Sequence, residues 1–162
     1  MATAEPTDEH LRELGNIALR AAALDYAVEV MLWALIGAGQ EIGASITIGQ
    51  PFSWRIDRLK TLARARLQDG QLVEDIFAFA ERASAAQTRR NQMLHSMWLK
   101  GDESASLQRI KFRLKGGRPT VDKEALTVEE LKKIGLDLYN RFAEVTQLLP
   151  RFPKELIDGL PT

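Results

Sequence analysis

The sequence predicts an all-α protein: an up-down bundle of four main helices with a small β-hairpin inserted near residues 107–121. Three observations support this prediction. Apolar residues recur at helical spacing over most of the chain, glycine and proline clusters separate these periodic segments, and one later segment alternates apolar with polar residues. With 162 residues, 45% of them hydrophobic and 27% charged, the chain is expected to form a single globular domain, 1–162.

The first helix is predicted to run from about Thr7 or Asp8 to Ile36. Apolar residues recur there every three or four positions and cover much of the helix circumference. Thr7 has a side-chain oxygen suited to capping the first turn. Gly37 and Gly39 then favour the end of the helix, because glycine readily adopts the backbone conformation that closes a helix at its C-terminus.

Residues 37–53 are rich in glycine and are interpreted as a loop, with a short extended piece at 45–48. The glycines do not follow a strand and lack the Lys-Ser/Thr pair of a phosphate-binding loop, so this stretch is not assigned to nucleotide binding. Ser53 is then a good N-cap for a second helix, which the Asp69-Gly70 pair ends.

The third helix is predicted from about Leu72 to Met97 or Trp98. Along one line of this helix, small alanines give way to Gln87 and Arg90. Small residues allow another helix to approach closely, and polar residues on the same line are typical of an interface or a cleft.

Apolar and polar side chains alternate along residues 107–115, strictly from Arg109 onward, which predicts a half-buried strand. Gly116-Gly117 follows as a turn, and residues 118–122 are expected to return as the second strand of the hairpin.

Thr127 and Glu130 have the spacing of a capping box and predict the start of the fourth main helix. Its apolar stripe continues to Pro150, which favours the end of the helix. The tail, 151–162, is expected to dock loosely or to fray.

The composition excludes several classes of function. The sequence has no cysteine, so disulfides, thiolate catalysis and cysteine-ligated metals are excluded. Asp25 and Glu29 are spaced as a helical pair, but no second acidic cluster or histidine lies at ligand spacing, and we expect no metal and no cofactor. These two acids also interrupt the longest apolar stretch, and the N-terminus lacks the basic and apolar blocks of a secretory signal. We therefore expect a soluble, cytoplasmic protein that does not bind a membrane.

The charges balance, with 22 basic and 22 acidic residues, so binding to a polyanion requires a local basic patch. One such patch is predicted on the strand of the hairpin. There Arg109, Lys111, Arg113 and Lys115 alternate with apolar residues and would project from one side. These four residues are candidates for binding RNA. The alternative is that they protect an exposed sheet edge from aggregation.

The candidate catalytic residues lie in the segment RRNQMLHSMW, 89–98. Each residue of a helix turns by about 100°, so Asn91 and His95 lie about 40° apart on one face, whereas Arg90 and His95 diverge by about 140°. Asn91 can flank His95 directly. Arg90 and His95 would line the same groove most naturally where two copies of the helix meet.

Cleavage of RNA without a metal requires a base, an acid and a cation beside the phosphate. One chain offers a single suitable histidine, His95, because His10 lies in the first turn of the first helix and is interpreted as structural. A two-fold homodimer would bring two copies of His95 and two of Arg90 into one groove. Histidine suits both proton-transfer roles because its ordinary pKa of about 6.5 leaves both forms available near neutrality.

The run from Arg90 to His95 resembles the motif of the HEPN superfamily (higher eukaryotes and prokaryotes nucleotide-binding): an arginine, a polar residue, a few variable residues and a histidine. Its place near the end of a long helix and the following residues, 96–98, are similar to those of many bacterial members. The resemblance implies a helical domain that dimerises along the motif helices and, in many members, a metal-independent endoribonuclease used as a toxin or in phage defence. It also implies that Arg90 and His95 are the catalytic pair and that Asn91 positions them.

Three interpretations remain open at this point. In the first, the chain is a homodimeric endoribonuclease that leaves 2′,3′-cyclic phosphate ends on RNA, with an antitoxin or another protein as its partner. In the second, it is a non-catalytic HEPN-like dimeric module in which Arg90, Asn91 and His95 tie the dimer interface together or bind a nucleotide or a protein partner. In the third, it is a plain helical bundle in which Arg90 pairs with an acidic residue such as Asp25 or Glu29 and His95 is hydrogen-bonded locally.

Overall fold

The structure is a computed structural model that describes residues 6–100, 106–158 and 160, without the side chains of Lys100, Ser106, Arg113 and Lys115. Within these residues the fold comprises six α-helices and one three-stranded antiparallel sheet. In chain order the elements are α1 (Asp8–Ile36), α2 (Gly39–Thr47), α3 (Phe52–Arg66), α4 (Gly70–Leu94), β1 (Met97–Lys100), β2 (Ser106–Lys115), β3 (Arg118–Thr127), α5 (Val128–Leu148), a 3-10 turn (Leu149–Arg151) and α6 (Lys154–Ile157). The predicted, mostly helical fold is confirmed, but the helices number six and the β-structure is larger than the expected hairpin.

Helix α1 begins and ends as predicted. The Thr7 hydroxyl accepts a hydrogen bond from the backbone N–H of His10 at 3.4 Å and lies 2.6 Å from its ring Nδ1. At the other end Gly37 has a φ of 70°, and its N–H donates to the carbonyl of Trp33. The left-handed conformation at this position explains why a glycine ends the helix.

Helix α2 occupies the segment that was interpreted as a loop with an extended piece at 45–48, so that prediction was wrong. α2 folds back at 119° to α1. Gly43 lies against the indole of Trp33, where any Cβ would collide with the ring, and Trp33 Nε1 donates to Thr47 Oγ1 at 3.0 Å. Glycine disfavours a helix locally, but this close packing outweighs its low propensity.

The four main helices do not alternate in direction as predicted. Arg55 of α3 lies beside Glu29 of α1, and Arg66 at the end of α3 lies beside Gly37 at the end of α1, so these helices run parallel. Helix α5 also runs parallel to α1, because Lys132 lies beside Glu9 and, further along both helices, Tyr139 lies beside Arg20. Helix α4 is antiparallel to α5, because its Asp75 contacts Arg151, just beyond the end of α5, whereas its later residue Arg82 donates to Glu144. Helix α2 carries the chain back along α1, so α3 can run in the same direction as α1.

The observed ends of α3 and α4 differ from the predicted ones. Pro51, and not Ser53, is the N-cap of α3, and no side chain caps that end. Asp69 caps α4 by accepting two backbone N–H bonds, at 2.9 and 3.1 Å. Helix α4 ends at Leu94 and not at 97–98, because Met97–Lys100 pairs with β2 as a strand.

The sheet has the order β1-β2-β3 and lies at the end of the bundle where α4 ends and α5 begins. The turn at Gly116-Gly117 is confirmed, with both glycines at positive φ. β3 extends beyond the predicted 118–122 as far as Thr127. Thr127 then forms the predicted capping box with Glu130 at the start of α5.

The core lies between α1, α3, α4 and α5, and each fully buried aliphatic side chain contributes about 2 kcal/mol of burial free energy. The largest fully buried side chains are Phe79, Ile17, Leu24, Met31, Leu32, Leu35, Leu59, Leu72, Ile76, Met93, Leu126 and Leu131. The tail is better anchored than predicted, because Phe152 and Leu156 are buried in the same core. In the described part of the chain, no single helix has the length and apolar character needed to cross a membrane, although the bent pair of α1 and α2 together would meet that test.

Candidate functional site

The C-terminal half of α4 borders an open groove of about 320 Å³. The groove brings together three of the predicted site residues, Asn91, His95 and Lys111. Its full lining consists of Thr88, Asn91, Gln92, His95, Ser96 and Lys111. Helix and sheet both contribute to this surface, because Lys111 projects from β2.

His95 lies one residue beyond the last turn of α4. Its backbone N–H still donates to the carbonyl of Asn91, at 3.1 Å, so the helical hydrogen bonding extends to this residue, although its φ of −110° is not helical. The ring is exposed. Among the described residues it has no hydrogen-bond or ion-pair partner, which leaves both ring nitrogens accessible to a ligand in the groove.

Arg90 is held at the border of the groove by its neighbour. Its Nη1 donates to Asn91 Oδ1 at 2.8 Å, while its Nε is buried and has no hydrogen-bond partner in the described part of the chain. The amide of Asn91 therefore links Arg90, which lies on a different face of α4, to the face that carries His95.

Arg90 does not form the ion pair that the plain-bundle interpretation requires. Glu29 pairs with Arg55 at 2.8 Å, and Asp25 accepts a hydrogen bond from Gln87 at 3.1 Å. Burial raises the pKa of Asp25, and the positive charges of Arg55 and Arg90 together with the Gln87 hydrogen bond oppose that rise. Arg90 thus influences Asp25 through its charge, without an ion pair in the described residues.

The groove continues past Asn91 toward the start of α3. A second depression, of about 220 Å³, shares Thr88 and Asn91 with the first and reaches Ser53 and Ser84. Gln87 also lines it, and its Oε1 is buried without a partner among the described residues. The polar surface around His95 is therefore an extended track along α4.

Arg109 was predicted to bind RNA, but the structure places it elsewhere. Its side chain is 7% exposed and lies beneath the sheet, where Nε donates to Glu124 Oε2 at 2.9 Å. Arg89 of α4 donates to the other oxygen of the same carboxylate at 2.6 Å. We call these three residues the Glu124 cluster.

The Glu124 cluster fixes the sheet to the end of α4. The hydrogen bonds from Arg89, with further contributions from Arg109, lower the pKa of Glu124, whereas its partial burial acts in the opposite direction. Glu124 is therefore ionised at neutral pH and neutralises part of the positive charge that the strand pattern had indicated.

The remaining predicted RNA-binding residues divide into two groups. Lys111 is half-exposed in the groove, close to the predicted catalytic residues. The side chains of Arg113 and Lys115 lie outside the described residues. Thr88 and Gln92 line the groove but were not predicted. Thr88 precedes Asn91 by three residues and His95 by seven, so the helical spacing that joined Asn91 to His95 could have identified it.

No cluster of three metal-binding side chains occurs in 6–100, 106–158 and 160. Asp25 and Glu29 both lie beside Arg55, whose guanidinium occupies the space that a cation would need. His10 is buried beside Thr7, as expected for a structural histidine. No protein family, curated protein or solved structure matches this chain.

Proposed function

We propose that this protein is a metal-independent endoribonuclease of the HEPN type that acts as a homodimer. One observation carries the proposal: the groove on α4 holds the exposed ring of His95 beside Asn91 and Lys111, with Arg90 joined to Asn91. This combination offers a proton-transfer group, a polar orienting group and one cation in the groove, with a second cation, Arg90, joined to it through Asn91.

The chemistry follows from these groups once two copies are placed together. One His95 accepts the proton of a ribose 2′-hydroxyl, and the 2′-oxygen attacks the adjacent phosphorus. The P–O5′ bond breaks, and His95 of the second copy gives its proton to the leaving 5′-oxygen. The products carry a 2′,3′-cyclic phosphate and a 5′-hydroxyl. Arg90 and Lys111 offset the negative charge that builds on the phosphate.

A single chain cannot supply both proton-transfer steps at once, since His10, the other histidine, is buried in the first turn of α1 beside Thr7. The homodimer is therefore part of the proposal. The extended polar track from His95 to Ser53 also gives a single-stranded RNA room to lie along α4.

The alternative is a non-catalytic dimeric module that binds a nucleotide or a protein through the same groove. The Glu124 cluster favours it, because Arg89 and Arg109 are tied to a carboxylate and leave less positive charge for a long RNA. Under this proposal the wild-type protein binds a ligand in the groove but leaves RNA intact.

Cleavage of a structured RNA in the presence of EDTA tests the first proposal. We expect cleavage with cyclic phosphate ends, and a loss of about a thousandfold in His95→Gln, since general acid–base groups commonly contribute that much. Gln68→Ala, an exposed position in the connection that precedes α4, is the control and should keep full activity. Equal cleavage by wild type and His95→Gln would contradict the assignment of the site.

Subunit mixing tests whether the site is composite. Wild-type and His95→Gln chains are refolded together in varying ratios, and activity is plotted against the wild-type fraction. If both histidines are needed, activity should follow the square of that fraction, because only dimers with two wild-type chains cleave. A linear dependence would show that each chain acts alone.

A further inference from the structure

Helix α3 begins at the second depression, and its first turn has no side-chain cap. Pro51 is the N-cap, no described side chain bonds to this end, and no acidic residue lies in the first turn. Arg55 donates the first intrahelical bond, to the carbonyl of Pro51, so the N–H groups of residues 52–54 have no partner within the helix. Such groups carry partial positive charge and favour a negatively charged ligand.

A second, independent observation lies on the α4 side of the same depression. Gln87 is 5% exposed, and it lines the depression together with Phe52 and Ser53. Its Nε2 donates to Asp25 at 3.1 Å, which fixes the orientation of the amide and leaves Oε1 as an acceptor. This oxygen is buried and has no hydrogen-bond partner in the described part of the chain. A buried acceptor without a partner is unfavourable, and a donor on a bound ligand would satisfy it.

The size and lining of the second depression suit one nucleotide. It has about 220 Å³ and adjoins the groove of His95, with which it shares Thr88 and Asn91. Phe52 is half-buried in its lining and offers an aromatic surface on which a base can stack. A ligand in this depression therefore lies next to the proposed catalytic groove.

The charges around the second depression allow an anion to enter. The described residues that line it include no acid. The polar network that holds Gln87 has formal charges that cancel, because it consists of two acids and two arginines: Asp25, Glu29, Arg55 and Arg90. An entering phosphate thus meets the uncapped N-terminus of α3 and no carboxylate in the lining.

From these observations we propose that the second depression is a subsite for the nucleotide next to the scissile phosphate of the RNA. The phosphate of this nucleotide accepts hydrogen bonds from the N–H groups of residues 52–54 and from the Ser53 hydroxyl. Its base stacks on Phe52 and donates an N–H to Gln87 Oε1, and each of the four bases has such a donor on its pairing edge. The role as a substrate subsite rests on the proposed function, whereas the binding of a nucleotide does not.

A short RNA that the protein cannot cleave tests the subsite. The probe is a fluorescent tetranucleotide with 2′-O-methyl groups, which remove the attacking hydroxyl, and Kd is measured by fluorescence anisotropy. We expect Kd to rise at least about tenfold in Ser53→Asp, because the new carboxylate competes with the phosphate, and in Gln87→Met, which removes the acceptor. A negative charge at a helix N-terminus stabilises the helix. Ser53→Asp should therefore keep the free energy of unfolding, which separates lost binding from lost folding.

Two variants with the same chemical changes elsewhere are the controls. Gln68→Glu adds one negative charge beside the start of α4, which Asp69 already caps. Gln147→Met makes the glutamine exchange at an exposed position of α5. Both should leave Kd unchanged. Equal losses in the controls, an unchanged Kd in Ser53→Asp or Gln87→Met, or no binding of the probe to the wild type would overturn the proposal.

Neutral linkages in the probe identify the phosphate that the subsite holds. Each of its phosphodiesters is replaced in turn by a methylphosphonate, which has no negative charge. In the wild type we expect one replacement to weaken binding about tenfold, and in Ser53→Asp the same replacement should have no further effect, because both changes remove one interaction. Losses that simply add would overturn the contact between this phosphate and α3.

Binding and cleavage assays together distinguish failure of the subsite from failure of the proposed function. If both proposals hold, Ser53→Asp raises KM about tenfold and leaves kcat unchanged, as expected for an interaction made equally in the ground and transition states. If RNA is cleaved but Ser53→Asp alters neither KM nor binding of the probe, only the subsite is wrong. If no RNA is cleaved but the probe binds with the expected losses, the depression binds nucleotides and only the cleavage proposal is wrong.

Discussion

Two charged clusters lie at the C-terminal end of α4, and they begin at adjacent residues. Arg89 turns beneath the sheet and meets Glu124, which also accepts hydrogen bonds from the buried Arg109. Arg90 turns to the other side, where it donates to Asn91 at the border of the groove that holds His95. The first cluster pairs each cation with a carboxylate, whereas the second has no carboxylate among its described hydrogen-bond and ion-pair partners.

The difference separates a structural role from a chemical one. Cations that share a half-buried carboxylate hold elements together, but they have little attraction left for a phosphate. Cations beside an exposed histidine and an amide keep that attraction and can act on a ligand. The two arginines of the same dipeptide should therefore respond in opposite ways to substitution.

The largest expected effect is on the Glu124 cluster. Replacing Glu124 by alanine leaves Arg109, which is 7% exposed, without its carboxylate, and we expect a loss of about 3 kcal/mol in the free energy of unfolding. Denaturant-induced unfolding measures this loss. Glu129→Ala, which breaks an exposed pair with Lys132, is the matched control and should cost less than about 0.5 kcal/mol. Similar losses in the two variants would show that the cluster is no more than a surface ion pair.

The next prediction compares the two arginines directly. Lysine keeps the charge but cannot form the forked hydrogen bonds of a guanidinium. We expect Arg89→Lys to lower the free energy of unfolding by about 1 kcal/mol and to keep RNA cleavage. We expect Arg90→Lys to reduce cleavage about a hundredfold and to change stability by less than about 0.5 kcal/mol. Unfolding and cleavage assays on the two variants check both predictions. If either variant lost both stability and cleavage, the two clusters would not have separate roles.

The smallest expected effect depends on pH. The Arg89 and Arg109 hydrogen bonds lower the pKa of Glu124 in the folded protein, so its stabilising effect is complete above its unfolded pKa of about 4.3 and is lost as pH falls through the lower folded value. Glu124→Gln keeps the shape and removes the charge. We expect the free energy of unfolding of the wild type to exceed that of Glu124→Gln by about 1 kcal/mol near pH 7, and this margin to shrink in acid. A margin that stayed constant down to pH values near 3, about one unit below that unfolded pKa, would be the contrary result.

The elements that were correctly predicted are those with local causes. The cap at Thr7, the stop at Gly37, the Gly116-Gly117 turn and the Thr127 capping box all depend on residues a few positions apart. α2 and β1 were missed because distant partners create them. α2 is stabilised by the indole of Trp33, and β1 by pairing with β2 across residues 101–105.

The same distinction applies to the candidate site. The shared face of Asn91 and His95 follows from the helical turn alone, and the groove indeed contains both residues. Strand alternation correctly grouped Arg109 with Lys111, but alternation does not tell which face is turned inward. The structure shows that the inward face is the one that carries the buried Leu107. Glu124 lies in the neighbouring strand, and the register of the two strands places its carboxylate opposite Arg109. Sequence spacing alone does not reveal that pairing.

The β2–β3 hairpin concentrates basic residues in a chain whose net charge is zero. Residues 106–127 carry a formal charge of +4. A polyanion attracts such a segment over a distance of about one Debye length, so its encounters with the hairpin should be faster than the overall charge suggests. Their rate should then fall steeply with ionic strength. An overall charge of zero thus conceals a local attraction at the end of the bundle where α4 stops.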